Sequence, residues 1–177
     1  ELLALAKSRP RQLSFASGGN GSVSHLSGEL FKTLAGIGMV HAAYKGGSQT
    51  IPAVISGEVS LMFVGLGAAL PNVQAGKLRI LAITSARRSV LMPDLPTVSE
   101  SGVPGYEMNP WWGVVAPART PKEIIARLNA EIVAILKTPD IKDRFAKLGF
   151  EPIGNTPDEF AGHMRAEISN WAKVIKD

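Results

Sequence analysis

Six small residues, Ser17-Gly18-Gly19-Asn20-Gly21-Ser22, lie between an apolar strand-like run at 13–16 and a helical pattern that begins near Ser22. Glycine-rich backbone in that position can turn several N–H groups toward one point, beside the positive end of a helix dipole. The chemistry this allows is the holding of an anion by hydrogen-bond donors, with no acid, base or nucleophile required. His25 falls on the first helical turn, three residues after Ser22. There it either donates to the same anion or packs against the loop backbone. The bland alternative for the whole loop is a glycine-rich helix cap that binds nothing.

The loop fails two more specific patterns. It lacks the Gly-Lys-Ser/Thr ending of a nucleotide-phosphate loop, so no lysine reaches the outer phosphates. Gly19 and Gly21 fit the first glycines of a dinucleotide fingerprint, but Ser24 takes the third place and no acidic residue ends the next strand. Two further small-residue loops follow strand-like runs in the same way: Tyr44-Lys45-Gly46-Gly47-Ser48 and Val64-Gly65-Leu66-Gly67. In an open α/β sheet all three would sit at the carboxyl edge, where ligands collect. Lys45 would add charge there, though a lone loop lysine is commonly just solvated. No Gly-x-Ser-x-Gly elbow and no paired-carboxylate arrangement occurs. His25, His41 and His163 share no metal-binding spacing, and there is no cysteine. No catalytic residue, metal or cofactor is expected.

The elements that must position these loops alternate. Strands are predicted at 13–16, 39–44, 61–64 and 79–84; Val23, Leu26, Leu30, Phe31 and Leu34 repeat at helical spacing in a run ended by Gly36 and Gly38, and helices at 48–55 and 68–74 are closed by Gly57 and Gly76. A short helix is predicted from Thr97 to Gly102, and Pro104-Gly105 reads as a turn or hinge. The fold class is α/β: a parallel or mixed sheet with helices on both faces. After the hinge come a strand at 112–116 introduced by Trp111-Trp112, with one Trp expected in a core, and a strand-like stretch at 150–153. A smaller helix is predicted at 140–148. Two long helices are each announced by Thr-Pro-x-Glu, at Thr120 and Thr156. The first is expected to bury Ile124, Ile125, Leu128, Ile132 and Leu136, the second Phe160, Met164, Ile168, Trp171 and Ile175.

The 177 residues, 45% hydrophobic and 19% charged, belong to the globular class. The formal charge of +4 is spread out, so no basic stripe points to nucleic acid, while a mild positive field suits small anions. The sequence opens at Glu1 within a helical pattern, without an initiating Met or signal peptide, and reads as a piece of a longer chain.

Several ordered segments resemble one family. They are Ser17–Ser22 with His25, Gly28-Glu29-Leu30-Phe31, Tyr44-Lys45-Gly46, Met62-Phe63, Ala75-Gly76-Lys77-Leu78-Arg79, Pro93-Asp94-Leu95-Pro96-Thr97-Val98, and Trp112-Gly113 with Ala116-Pro117. Together they resemble the Bug-type periplasmic solute-binding receptors of tripartite tricarboxylate transporters, from Glu1 to Asp177. The resemblance implies a periplasmic-binding-protein-like, two-lobed receptor that closes on a small carboxylate and delivers it to membrane permease subunits. Residues 1–105 would be the second ligand-binding lobe and 106–177 the C-terminal part of the first. Ser17, Gly18, Gly19, Asn20, Gly21, Ser22 and His25 would form one carboxylate clamp, flanked by Tyr44, Lys45, Gly46, Val64 and Gly65. The partner clamp would lie in the N-terminal half of the first lobe, outside this chain. Relatives often carry a polar or acidic residue after Met-Phe, where Val64-Gly65 stand here, which disfavours ligands with an ammonium group. Exposed apolar helix faces in the tail would favour homodimers or segment exchange. The competing readings are an α/β enzyme that binds a phosphorylated substrate and a ligand-sensing domain.

Overall fold

The computed structural model describes residues 1–176. The chain divides into two compact units, Glu1–Trp111 and the stretch from Trp112 onward.

In the first unit, β1 (Ser14–Ser17), β2 (Val40–Ala43) and β3 (Leu61–Met62) form a parallel sheet in the order β2-β1-β3. Phe15 pairs with both His41 and Leu61. Side chains alternate across a strand, so Phe15 and Ser17 share one face with His41, and Ala16 takes the other. Four helices join and cover the strands: α1 (Leu2–Ser8), α2 (Val23–Ala35), α3 (Thr50–Ile55, entered by a 3-10 turn at Gly47–Gln49) and α4 (Leu66–Gln74).

Helix α2 covers the Phe15 face. Its Gly28 lies so close that an added Cβ would stand 2.6 Å from Phe15 Cδ2 and Cζ, and nearer still to Cε2. Gly36 ends α2 in the left-handed region, at φ +62°, where a side chain would be strained. Helix α3 covers the opposite face, where Ala16, Ala53 and Val59 are buried with Ala42, Tyr44 and Met62 against them.

The predicted strand at 79–84 does not form. Only a parallel bridge between Ile83 and Thr97 is made, with Leu81 left 46% exposed, because no neighbouring strand runs beside 79–82. Residues 97–102 form turns in place of a helix. The Thr97 N–H donates to Glu100 Oε2 at 2.8 Å and the Glu100 N–H to Thr97 Oγ1 at 3.1 Å. Beyond Pro104-Gly105 the chain stays packed in the same unit. Tyr106 is 1% exposed, its hydroxyl donates to the Ser27 carbonyl at 3.2 Å, and its ring meets Phe31 edge-on at 6.1 Å.

The second unit holds α5 (Lys122–Leu136), α6 (Pro139–Lys147) and α7 (Pro157–Lys176). The two Thr-Pro-x-Glu signals diverge. Thr156 makes the full reciprocal cap, exchanging hydrogen bonds with Glu159 at 2.8 and 3.3 Å. At α5 the helix starts one residue later, so Pro121 takes the N-cap position and no side chain caps it.

The expected strands at 112–116 and 150–153 stay irregular, since neither finds a pairing partner among the described residues. Trp112 packs edge-on against Phe150, yet it is 70% exposed. The expected burial also fails at Ile124, Leu128, Ile168 and Ile175, all of them exposed, while Ile125, Ile132, Leu136, Phe160, Met164 and Trp171 are only partly covered. Three helices with irregular connections do not by themselves enclose an apolar centre. No helix of the described residues is long and apolar enough to cross a membrane.

Candidate functional site

Strand β1 delivers Ser17 to the sheet edge fully buried, at 0% exposure. The backbone then turns through Gly19 and Gly21, whose φ angles of +122° and +75° need residues without a Cβ. Ser22 is the N-cap of α2. Its backbone is extended, its Oγ accepts the His25 N–H at 3.3 Å, and its hydroxyl donates to the Gly19 carbonyl at 2.7 Å. The remaining loop donors are largely used within the loop. Gly18 N–H donates to Ser24 Oγ at 3.0 Å, Gly19 N–H to Ser17 Oγ at 3.1 Å, and Gly21 N–H to His25 Nδ1 at 3.1 Å. The N–H groups of Asn20, Val23 and Ser24 meet no acceptor among the described residues. Those donors and the dipole of a 13-residue helix are what an anion would find.

The second loop is stitched to the first. Tyr44 N–H donates to the Ser17 carbonyl at 2.9 Å and Gly46 N–H to the Gly18 carbonyl at 3.2 Å. A Cβ on Gly18 would stand 3.2 Å from the Gly47 nitrogen, tighter than an ordinary contact, so the two loops would have to part slightly to admit one. Lys45 is exposed and its N–H donates to Gln49 Oε1 at 3.0 Å.

Tyr44 points elsewhere. Its ring packs on the α3 face and its hydroxyl donates to Glu58 at 2.8 Å, a bond that raises the phenol's pKa. It thereby borders an open depression of about 430 Å³ with Ser48, Gln49, Pro52, Ser56 and Glu58, apart from the loop amides. The third loop leaves the same sheet edge. Val64 is 38% exposed and Gly65 caps α4 with extended backbone. No hydrogen bond joins Val64 or Gly65 to the first loop among the described residues.

A residue outside these loops completes the site. His41 lies in β2, and its ring is sandwiched between Phe15 (4.9 Å, 21°) and His25 (4.1 Å, 22°). Its Nε2 is 2.5 Å from Ser17 Oγ. Burial holds this imidazole below its ordinary pKa, and the neighbouring His25 adds to the effect while Glu29 opposes it. Glu29 itself faces His25 Nε2 at 3.7 Å and is paired with Lys32 at 2.7 Å. Sequence reasoning noted His41 only as a strand residue. The signal that places it is two-residue alternation combined with the pairing of Phe15 to His41, a register set by folding.

Ser17 and His41 have the spacing of a nucleophile and its base. The serine is fully buried, however, and its oxygen accepts the Gly19 N–H. Among the described residues no three His, Cys, Asp or Glu side chains are grouped to hold a metal. The arrangement can bind an anion through amides.

A family model described as the tripartite tricarboxylate transporter family receptor, TctC, matches residues 1–177. The protein BugT of Bordetella pertussis is 35% identical over 176 residues, covering 99% of this chain and 54% of BugT. Among solved structures, Rpa4515 of R. palustris with adipate superimposes with a TM-score of 0.93 at 39% identity, covering 99% of this chain and 58% of that one. MatC (Rpa3494) from Rhodopseudomonas palustris with bound malate gives 0.87 at 30% identity, covering 98% and 60%. The chain spans about half the length of the curated relatives it matches, 54% in the case of BugT.

Proposed function

The chain belongs to the tripartite tricarboxylate transporter receptor family, and on that premise we propose that it is part of an extracytoplasmic receptor that captures a small carboxylate. The observation that carries this reading is the set of three open N–H groups, on Asn20, Val23 and Ser24, at the mouth of a loop whose other donors are used internally. Adipate and malate in the two similar structures are of the chemical class such donors suit. The first compact unit, Glu1–Trp111, is read as the second lobe, extending past the boundary at 105 expected from the sequence, and the stretch from Trp112 as the returning part of the first. The periplasm is the working compartment, and membrane permease subunits receive the ligand.

Binding without catalysis fits the loop, which offers donors and keeps the serine of its one serine–histidine pair buried. Val64 and Gly65 supply no counter-charge for a ligand ammonium, so plain carboxylates are favoured over acidic amino acids. The exposed Trp112, Val114, Val115, Ile153 and Ile168 of the second unit support self-association of this chain. Light scattering at high concentration tests that point, and a strict monomer would contradict it.

The function is tested by thermal shift on the full-length protein with a panel of di- and tricarboxylates, nucleotides and sugar phosphates. Stabilisation by carboxylates alone is expected. Stabilisation by sugar phosphates or nucleotides instead would establish the rival enzyme reading. Tight calorimetric binding of aspartate or glutamate would remove the preference for plain carboxylates.

A further inference from the structure

We propose that His41, a strand residue outside the ligand loop, is a positioning residue for that loop and acts through the Ser17 hydroxyl. The proposal rests on the reading of this loop as the carboxylate seat.

The Ser17 hydroxyl has two acceptors within reach, His41 Nε2 at 2.5 Å and the Gly19 carbonyl at 3.3 Å. The shorter distance assigns the proton to the imidazole and places the His41 ring proton on Nδ1. With its own proton so used, Ser17 Oγ accepts the Gly19 N–H at 3.1 Å. The Gly19 carbonyl is then left for Ser22, whose hydroxyl and N–H reach it at 2.7 and 3.2 Å. Ser22 Oγ in turn accepts the His25 N–H at 3.3 Å, and the His25 ring lies on the His41 ring at 4.1 Å. The chain of contacts closes on itself. It orients the peptide planes on both sides of Gly19, the second of which carries the open Asn20 N–H of the anion seat.

His41 suits this task because its ring cannot swing: Phe15 holds one side and His25 the other. Burial also disfavours the charged imidazolium, so Nε2 keeps its lone pair for the serine. The groups facing the ring are Phe15 and Ser17 of β1 and His25 of α2, with Glu29 and Lys32 of α2 beyond.

The test separates hydrogen bonding from packing. His41→Phe keeps an aromatic ring in the stack and removes the acceptor, whereas His41→Gln restores an acceptor near the Nε2 position. Calorimetry with adipate and with malate is expected to show about a tenfold loss of affinity for His41→Phe, as for one lost hydrogen bond in a polar network, and recovery in His41→Gln. Ser17→Ala, which breaks the same link from the other end, should lose as much, and the double variant Ser17→Ala/His41→Phe should lose no more. In the ligand-free chain, the Gly19 amide resonance should move in His41→Phe and return in His41→Gln. Unchanged affinity and an unmoved Gly19 resonance in His41→Phe would overturn the proposal, as would fully additive losses in the double variant. If the unaltered full-length protein binds no member of the di- and tricarboxylate panel, the carboxylate reading fails, and the Gly19 resonance alone decides the role of His41.

Discussion

Replacing Gly28 by alanine tests the packing that holds the loop from beneath. In an exposed helix the change would stabilise by about 1 kcal/mol, because glycine is the poorer helix former. Here the new Cβ would stand 2.6 Å from Phe15 Cδ2 and Cζ and nearer still to Cε2, against an ordinary carbon–carbon contact of roughly 3.5–4 Å, so the ring would have to retreat by clearly more than about 1 Å. Phe15 has nowhere to go. It is 0% exposed, stacked on His41 at 4.9 Å and met edge-on by Phe63 at 6.3 Å. Overpacking of this kind costs up to about 3 kcal/mol, which leaves a net loss of about 2 kcal/mol after the helix gain. Urea unfolding followed by circular dichroism should show the midpoint falling by about 1 M for a slope near 1.5–2 kcal/mol/M. The displaced ring carries His41 with it, so adipate affinity should fall as well. A Gly28→Ala variant as stable as the native chain, or more so, would refute the claim that α2 and β1 meet without room for a methyl group.

The two threonines before the long helices should behave differently: Thr156→Ala should cost about 1 kcal/mol by removing a working cap, while Thr120→Ala should stay within about 0.5 kcal/mol, as read by thermal unfolding. Glu100 should make stability depend on acid. The Thr97 N–H, then the Arg88 guanidinium, hold its carboxyl below the ordinary value of 4.5. Its contribution is therefore complete above about pH 4.5 and lost as pH falls through the lower folded value, and Glu100→Gln should flatten stability across that acid range. Tyr106 should resist alkaline ionisation, since burial raises its pKa strongly. Ultraviolet titration should show its phenolate only with unfolding, a late step absent from Tyr106→Phe, which should also lose about 1 kcal/mol with the bond to Ser27.

What was legible in the sequence was local. Ser22 as N-cap and Gly36 as left-handed C-cap rest on interactions within a few residues, and the structure forms them there, while the loops at 17–22 and 44–48 were legible as positions but not in the hydrogen bonds that join them. The misses are non-local. Residues 79–84 and 112–116 have strand-like composition, but a strand exists only where another lies beside it. The pair of Thr-Pro-x-Glu segments shows a limit even for local signals: the same four-residue pattern caps α7 and leaves α5 uncapped, because the latter helix begins one residue later. The stack of His25, His41 and Phe15 joins three elements through the sheet register, which no short motif records.

Titration of the isotope-labelled chain with adipate and malate, read at each backbone amide by NMR, tests the carboxylate seat most directly. The largest shifts should fall on Asn20, Val23 and Ser24, the donors without an acceptor among the described residues. Shifts confined to the Tyr44–Glu58 depression, or a response to sugar phosphates with none to either acid, would contradict it.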